Sequence, residues 1–110
     1  MNLHELAEER SLAIHGVVAQ RLREDPRLVE AARARVESWL ASGSVHPVYA
    51  EAWRELLAGP IERLLETLTD KGNRARALRQ CSPFAGVVDP RTRWRIWRDV
   101  RDLWRDGQRM

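Results

Sequence analysis

In every segment between the proline and glycine marks of this chain, apolar residues recur three and four positions apart, the spacing of one helix face. Ile61, Leu64, Leu65 and Leu68 match that template without a fault over residues 61–69. Leu3, Leu6, Ala7, Ile14, Val17, Val18 and Leu22 form a stripe over 3–23, and Leu28, Val29, Ala32, Val36, Trp39 and Leu40 form another over 27–41. Tyr49, Ala52, Trp53, Leu56 and Leu57 continue the pattern over 47–58. A weaker helix over about 73–81 carries Ala75, Leu78 and Cys81, and a last one runs from Pro90 to about Asp106. The marks fall where helices begin and end. Pro26, Pro47, Pro60 and Pro90 suit early helical positions, and Asp25, Asp89 and the Asn2/Glu5 pair suit N-caps. Gly43, Gly59 and Gly107 fall where helices are expected to stop. Strand alternation is not found; Val87-Val88 is too short and is crowded by Pro83 and Gly86. Five or six short helices, each needing to bury one face, predict a single all-α domain over residues 1–110, an irregular helical bundle.

A length of 110 residues suits one domain with a modest core. The lone cysteine, Cys81, excludes an internal disulfide and a cysteine-based zinc site, and is expected to be an inert, buried thiol. No apolar run approaches the roughly 18 residues of a membrane span, and the N-terminus lacks a signal-peptide pattern. A cytoplasmic protein with no membrane partner is expected. Charge is unevenly spread. Residues 1–73 hold nine basic and twelve acidic side chains, net −3, whereas residues 74–110 hold ten Arg and four Asp, net +6. A basic end of this kind suits an acidic protein surface or nucleic acid. Eighteen of the nineteen basic residues are Arg, whose planar fork matches carboxylate and phosphate.

The last predicted helix has the sharpest pattern. Trp94, Trp97, Val100 and Trp104 share one side, flanked by Ile96 and Leu103; Arg91, Arg95, Arg98, Arg105 and Arg109 line the other, interrupted by Asp102. On one reading the arginines contact a partner and the tryptophans dock on the bundle. On the other the helix only packs, with Arg95–Asp99 and Arg98–Asp102 as ordinary surface pairs one turn apart. Trp and Arg dominate interface hot spots, and five Trp in this length is high, which adds weight to a protein partner. The apolar loop Ser82–Val88 either packs over the core or awaits a partner. Residues 60–80 could form two short helices around Asp70-Lys71-Gly72-Asn73, an outline shared with helix-turn-helix DNA binders, with Arg74, Arg76 and Arg79 on the second.

Catalytic and metal constellations are sparse. His4 and His15 lie eleven residues apart on one helix, roughly 16 Å at its rise and too far to share a metal. His46 precedes Pro47 and suits a turn. Asp99, Asp102 and Asp106 alternate with arginines and are read as charge pairs, while Glu62, Glu66 and Asp70 form an acidic stripe. Arg10 through His15 fits the R-x4-H spacing of HEPN-type ribonucleases, which are also small helical domains. On that resemblance His15 would act as general acid or base and Arg10 would stabilise phosphate.

Leu3-His4-Glu5-Leu6-Ala7-Glu8-Glu9-Arg10-Ser11, together with Leu78-Arg79-Gln80-Cys81-Ser82-Pro83-Phe84-Ala85-Gly86-Val87 and the following Arg93-Trp94, resembles small all-helical bacterial antitoxins of toxin–antitoxin pairs. The resemblance covers about a third of the chain in texture and carries no catalytic residues. It implies a non-enzymatic protein that neutralises a cognate toxin by direct binding. The partner contacts expected from the residues are Pro83, Phe84, Trp94, Trp97, Arg98, Arg101, Trp104 and Arg105. The alternative is a basic DNA- or RNA-binding protein using Arg74, Arg76, Arg79, Arg91, Arg95 and Arg98. A homo-oligomer is a further possibility, and neither cofactor nor metal is expected.

Overall fold

Each helix starts and stops for a local reason. The computed structural model describes residues 2–108, so Arg109 lies outside the described residues. Helix α1 spans Leu3–Glu24, and the Asn2 side chain accepts from the Glu5 N–H at 2.8 Å. Asp25 accepts from the Arg27 N–H at 3.2 Å, but the element it opens is a 3₁₀ turn, Pro26–Leu28; helix α2 follows at Val29–Ser42. Gly43 ends α2 at φ +72°, a left-handed cap that glycine adopts without a Cβ penalty. His46 Nδ1 accepts from the Val48 N–H at 3.2 Å and opens α3, Pro47–Ala58. Pro60 sits one residue outside α4, Ile61–Leu68. Helix α5 is Asn73–Arg79, and α6 is Pro90–Gln108, opened by Asp89 accepting from the Thr92 N–H at 3.2 Å. Gly107 does not stop α6; it keeps helical dihedrals rather than the positive φ of a glycine cap. There is no strand among the described residues.

The helices share one hydrophobic core. Trp53, Leu22, Leu57, Leu64, Leu68, Val18 and Val36 are enclosed in it, drawn from α1 to α4. The packing pairs α2 with α3 and α1 with α6, while α1 also touches α4 and α5. Arginines tie the helix ends together. Arg33 on α2 donates to the Leu57 carbonyl of α3 through Nε at 3.1 Å and Nη2 at 2.7 Å. Arg79 on α5 is buried and donates through Nη1 to the carbonyls of Thr67, Leu68 and Asp70, at 3.4, 3.3 and 2.6 Å. These carbonyls lie at or just past the end of α4, where helix carbonyls run out of intrahelical donors; that of Thr67 also accepts from the Asp70 N–H at 3.3 Å.

The 82–88 loop belongs to the core. This corrects the expectation that Pro83 and Phe84 meet a partner: both are buried, Phe84 is 2% exposed, and its ring meets Trp53 edge-on at 5.9 Å. Gly86, at φ +96°, turns the chain so that Phe84 and Val88 both point inward. Phe84→Ala is therefore expected to cost about 3–4 kcal/mol of stability, read as a lower denaturant midpoint. An unchanged midpoint would mean that the loop lies outside the cooperative fold.

Helix α6 runs antiparallel to α1: Asp89 lies near Arg21, and Trp97 meets Arg10. Seven residues of α1 precede Arg10, about 10 Å, whereas eleven of α6 follow Trp97, about 16 Å. The end of α6 overhangs its support. The radius of gyration, 14.6 Å, accordingly exceeds the value of about 13 Å expected of a chain this long.

Candidate functional site

The face α6 turns inward differs from the one its tryptophans suggest. Ile96 packs against the core, and Arg93, Val100 and Trp104 are half-buried along the same side. Trp94 points out, 62% exposed, and Trp97 straddles the edge at 44%. Leu103, at 73%, is exposed as well. Aliphatic Ile96 and Val100 take the inner face, while an indole is tolerated at a wet edge. The five tryptophans thus divide: Trp53 is core, Trp39 lies partly buried against it, Trp104 is half-buried, and Trp94 and Trp97 are surface.

The two exposed indoles are covered by arginine. The Arg98 guanidinium lies over Trp94 at 5.2 Å, and Arg10 of α1 lies over Trp97 at 5.1 Å. Such stacks contribute about 0.5–1 kcal/mol each at exposed sites. Arg98 is drawn back one turn onto Trp94, so it pairs with neighbouring Asp99 at 3.3 Å rather than reaching forward to Asp102. Arg101 pairs with Asp102 at 3.5 Å. Arg91, Arg95 and Arg105 are exposed.

Beneath this helix lies a cleft of about 380 Å³, walled by α1, α5, the 82–85 stretch and α6. Arg10, Arg79 and Arg93 enter it, with Ser11, His15 and Trp97. The spacing of Arg10 and His15 along α1 thus corresponds to a shared wall. His15 is buried, and its Nδ1–H donates to the Ser11 carbonyl at 2.7 Å, which leaves Nε2 as the basic nitrogen. Burial is the main cause holding its pKa below the ordinary value; the charges of Arg79 and Arg93 push the same way, against the bond to Ser11. Between 6.5, its unfolded value, and the lower folded value, the unfolded chain binds this proton and the folded chain does not. Stability from this group is complete above that window and declines as pH falls through it. His15→Gln is expected to flatten this decline, measured as the difference in denaturant midpoint between neutral and mildly acid buffer.

The residues proposed for nucleic acid do not all reach the surface. Helices α4 and α5 do flank the turn at 69–72, but Arg79 is locked inward on the α4 carbonyls and is corrected here to a structural role. Arg76 pairs with Glu8 of α1 at 2.9 Å; Arg74 remains exposed. Cys81 is half-buried just past α5, and burial pushes its thiol pKa up, which disfavours the thiolate. Among the described residues no group of three or more His, Cys, Asp or Glu could hold a metal, and no helix is long and apolar enough to cross a membrane.

Fold and site together define an all-helical protein with a basic Trp/Arg helix laid over an arginine-lined cleft. No family model matches the chain, and no curated protein or solved structure shows significant similarity to it.

Proposed function

We propose that this chain is a non-enzymatic protein-interaction module, an antitoxin that neutralises a cognate toxin by direct binding through the outer side of α6. The observation that carries the reading is the exposure of Trp94, Trp97 and Leu103 on a helix that also presents Arg91, Arg95 and Arg105. Large rings left in water beside guanidinium groups are the chemistry of binding hot spots. The excess of Arg over Asp on α6 favours an acidic partner surface. Of the contacts read from the sequence, Trp94, Trp97, Arg98, Arg101 and Arg105 stay available to such a partner, and Trp104 contributes its exposed part.

The test is growth rescue. Expression of the neighbouring gene alone is expected to arrest the host, and co-expression of this chain to relieve the arrest. A Trp94→Ala/Leu103→Ser variant, altered only at exposed positions, is expected to keep its helix content and lose the relief. Absence of arrest, or relief untouched by the variant, refutes the reading. Exposed Arg74, Arg91 and Arg95 favour the second reading, a nucleic-acid-binding module. That reading predicts retained DNA or RNA whose affinity falls steeply with salt, and no protein partner. A cytoplasmic setting accompanies both.

A further inference from the structure

We propose that the cleft between α1, α5 and α6 binds a small phosphate monoester carrying a flat apolar group. Three guanidinium-bearing side chains line it, and no carboxylate does. Glu8 and Asp70, whose charges reach Arg79, stand outside the lining: Glu8 pairs with Arg76 at 2.9 Å, and the Asp70 carboxylate accepts from the Gly72 N–H at 2.6 Å. Gathering like charges in a partly enclosed space costs free energy unless an anion shares it. Arg10 Nε is shielded from solvent and, like Arg21 Nε outside the cleft, has no hydrogen-bond partner among the described residues. A buried donor without an acceptor is unusual and unfavourable.

The ligand class follows from number and shape. A carboxylate carries one charge and suits one guanidinium, whereas a phosphate monoester carries nearly two and offers three acceptor oxygens. Three arginines, with the hydroxyls of Ser11 and Ser82 also lining the cleft, match the larger anion. Apart from His15, the rest of the lining is apolar, with Ile14, Val18, Phe84 and the Trp97 ring. A volume of about 380 Å³ is at the small end of ligand pockets and fits one ring with its phosphate. Arg79 holds the α4 end as well as lining the cleft, so Arg10 and Arg93 are the positions where charge can be removed with least damage to the fold. The inference stands apart from the toxin-binding reading, since it uses the inner side of α6.

The experiment is calorimetric titration of the full chain with phenyl phosphate, benzoate and inorganic phosphate. Phenyl phosphate is expected to bind one saturable site and to weaken with salt. Benzoate and inorganic phosphate are each expected to bind at least about tenfold less tightly, the loss of one charge-assisted contact or of the ring. Arg10→Gln and Arg93→Gln should each reduce phenyl phosphate affinity by a similar factor. In the unaltered chain, phenyl phosphate should shift the indole N–H resonance of Trp97 and leave that of Trp53 in place, a readout that needs no variant. The proposal is overturned by absence of saturable binding, by benzoate binding as tightly, by affinity unchanged in both folded variants, or by a Trp97 signal that does not move.

Discussion

Trp53→Ala is expected to remove about 3–5 kcal/mol of folding stability, a large share of what a domain of this size holds. Trp53 has no exposed surface, and it joins three elements at once. It stands on α3, its ring meets Phe84 of the loop at 75°, and its Nε1–H donates to the Leu78 carbonyl of α5 at 3.1 Å. Removing the indole leaves a cavity bounded by three separately anchored segments, so the surroundings can close only partly. It also removes one donor from the Leu78 carbonyl, which keeps the Cys81 N–H at 3.2 Å. Trp53→Phe isolates that second effect by keeping much of the ring while deleting the donor, and is expected to cost about 0.5–1.5 kcal/mol. Urea unfolding followed by helical circular dichroism gives both values. A midpoint for Trp53→Ala close to that of the parent would show that the loop and α5 do not pack cooperatively on α3.

Arg79→Met should be nearly as disruptive in kind, at about 2–3 kcal/mol, although it places an apolar chain of similar length in a buried position. The reason is the three carbonyls at the end of α4. Arg79 Nη1 is the side-chain donor that meets them, and the shortest of its bonds, 2.6 Å to Asp70, joins α5 to the turn that precedes it. Burial lowers the pKa of the guanidinium, opposed by the charge of Asp70, and arginine remains charged throughout the accessible range. Arg79→Lys keeps the charge but not the planar fork, so it should recover part of the loss. Amide hydrogen exchange separates the two contributions: the turn at 69–72 should exchange faster in Arg79→Met than the global stability change accounts for. Uniform acceleration across all helices would contradict a local capping role.

The amphipathic order of the chain was legible without coordinates. The stripes through Leu22, Val36, Leu57 and Leu64 each face the core, because a helix has only one way to hide residues spaced three and four apart. The caps at Asn2, Asp25 and Asp89 were legible for a similar reason, the bond being made within two or three residues of the capping side chain, whereas His46, read as a turn residue, also caps α3. Where competing local signals met, short-range reading failed by small amounts. Asp25-Pro26 opens a 3₁₀ turn before α2, and Gly107 continues α6.

The candidate site was legible only in part. Trp94, Trp97 and the surrounding arginines could be named, but which of them faced water could not, since a helix with apolar residues on more than half its circumference has several acceptable orientations. The choice lay with α1, which accepts Ile96 and Val100 on its surface and leaves Trp94 outside. The fate of the arginines was less visible still. Arg74, Arg76 and Arg79 look alike in sequence, yet one is free in water, one is paired with Glu8 across to α1, and one is buried under α4. Their partners are distant in sequence or lie on the backbone, which carries no residue-specific signal. The sequence by itself determined where helices begin, which face each must bury, and that its basic charge gathers at one end, because those properties depend on interactions spanning a few residues. The tertiary structure alone decided that Phe84 is core, that Arg79 is a cap, and that Arg10, Arg79 and Arg93 share one cleft, because each depends on packing between segments that meet only when the bundle closes.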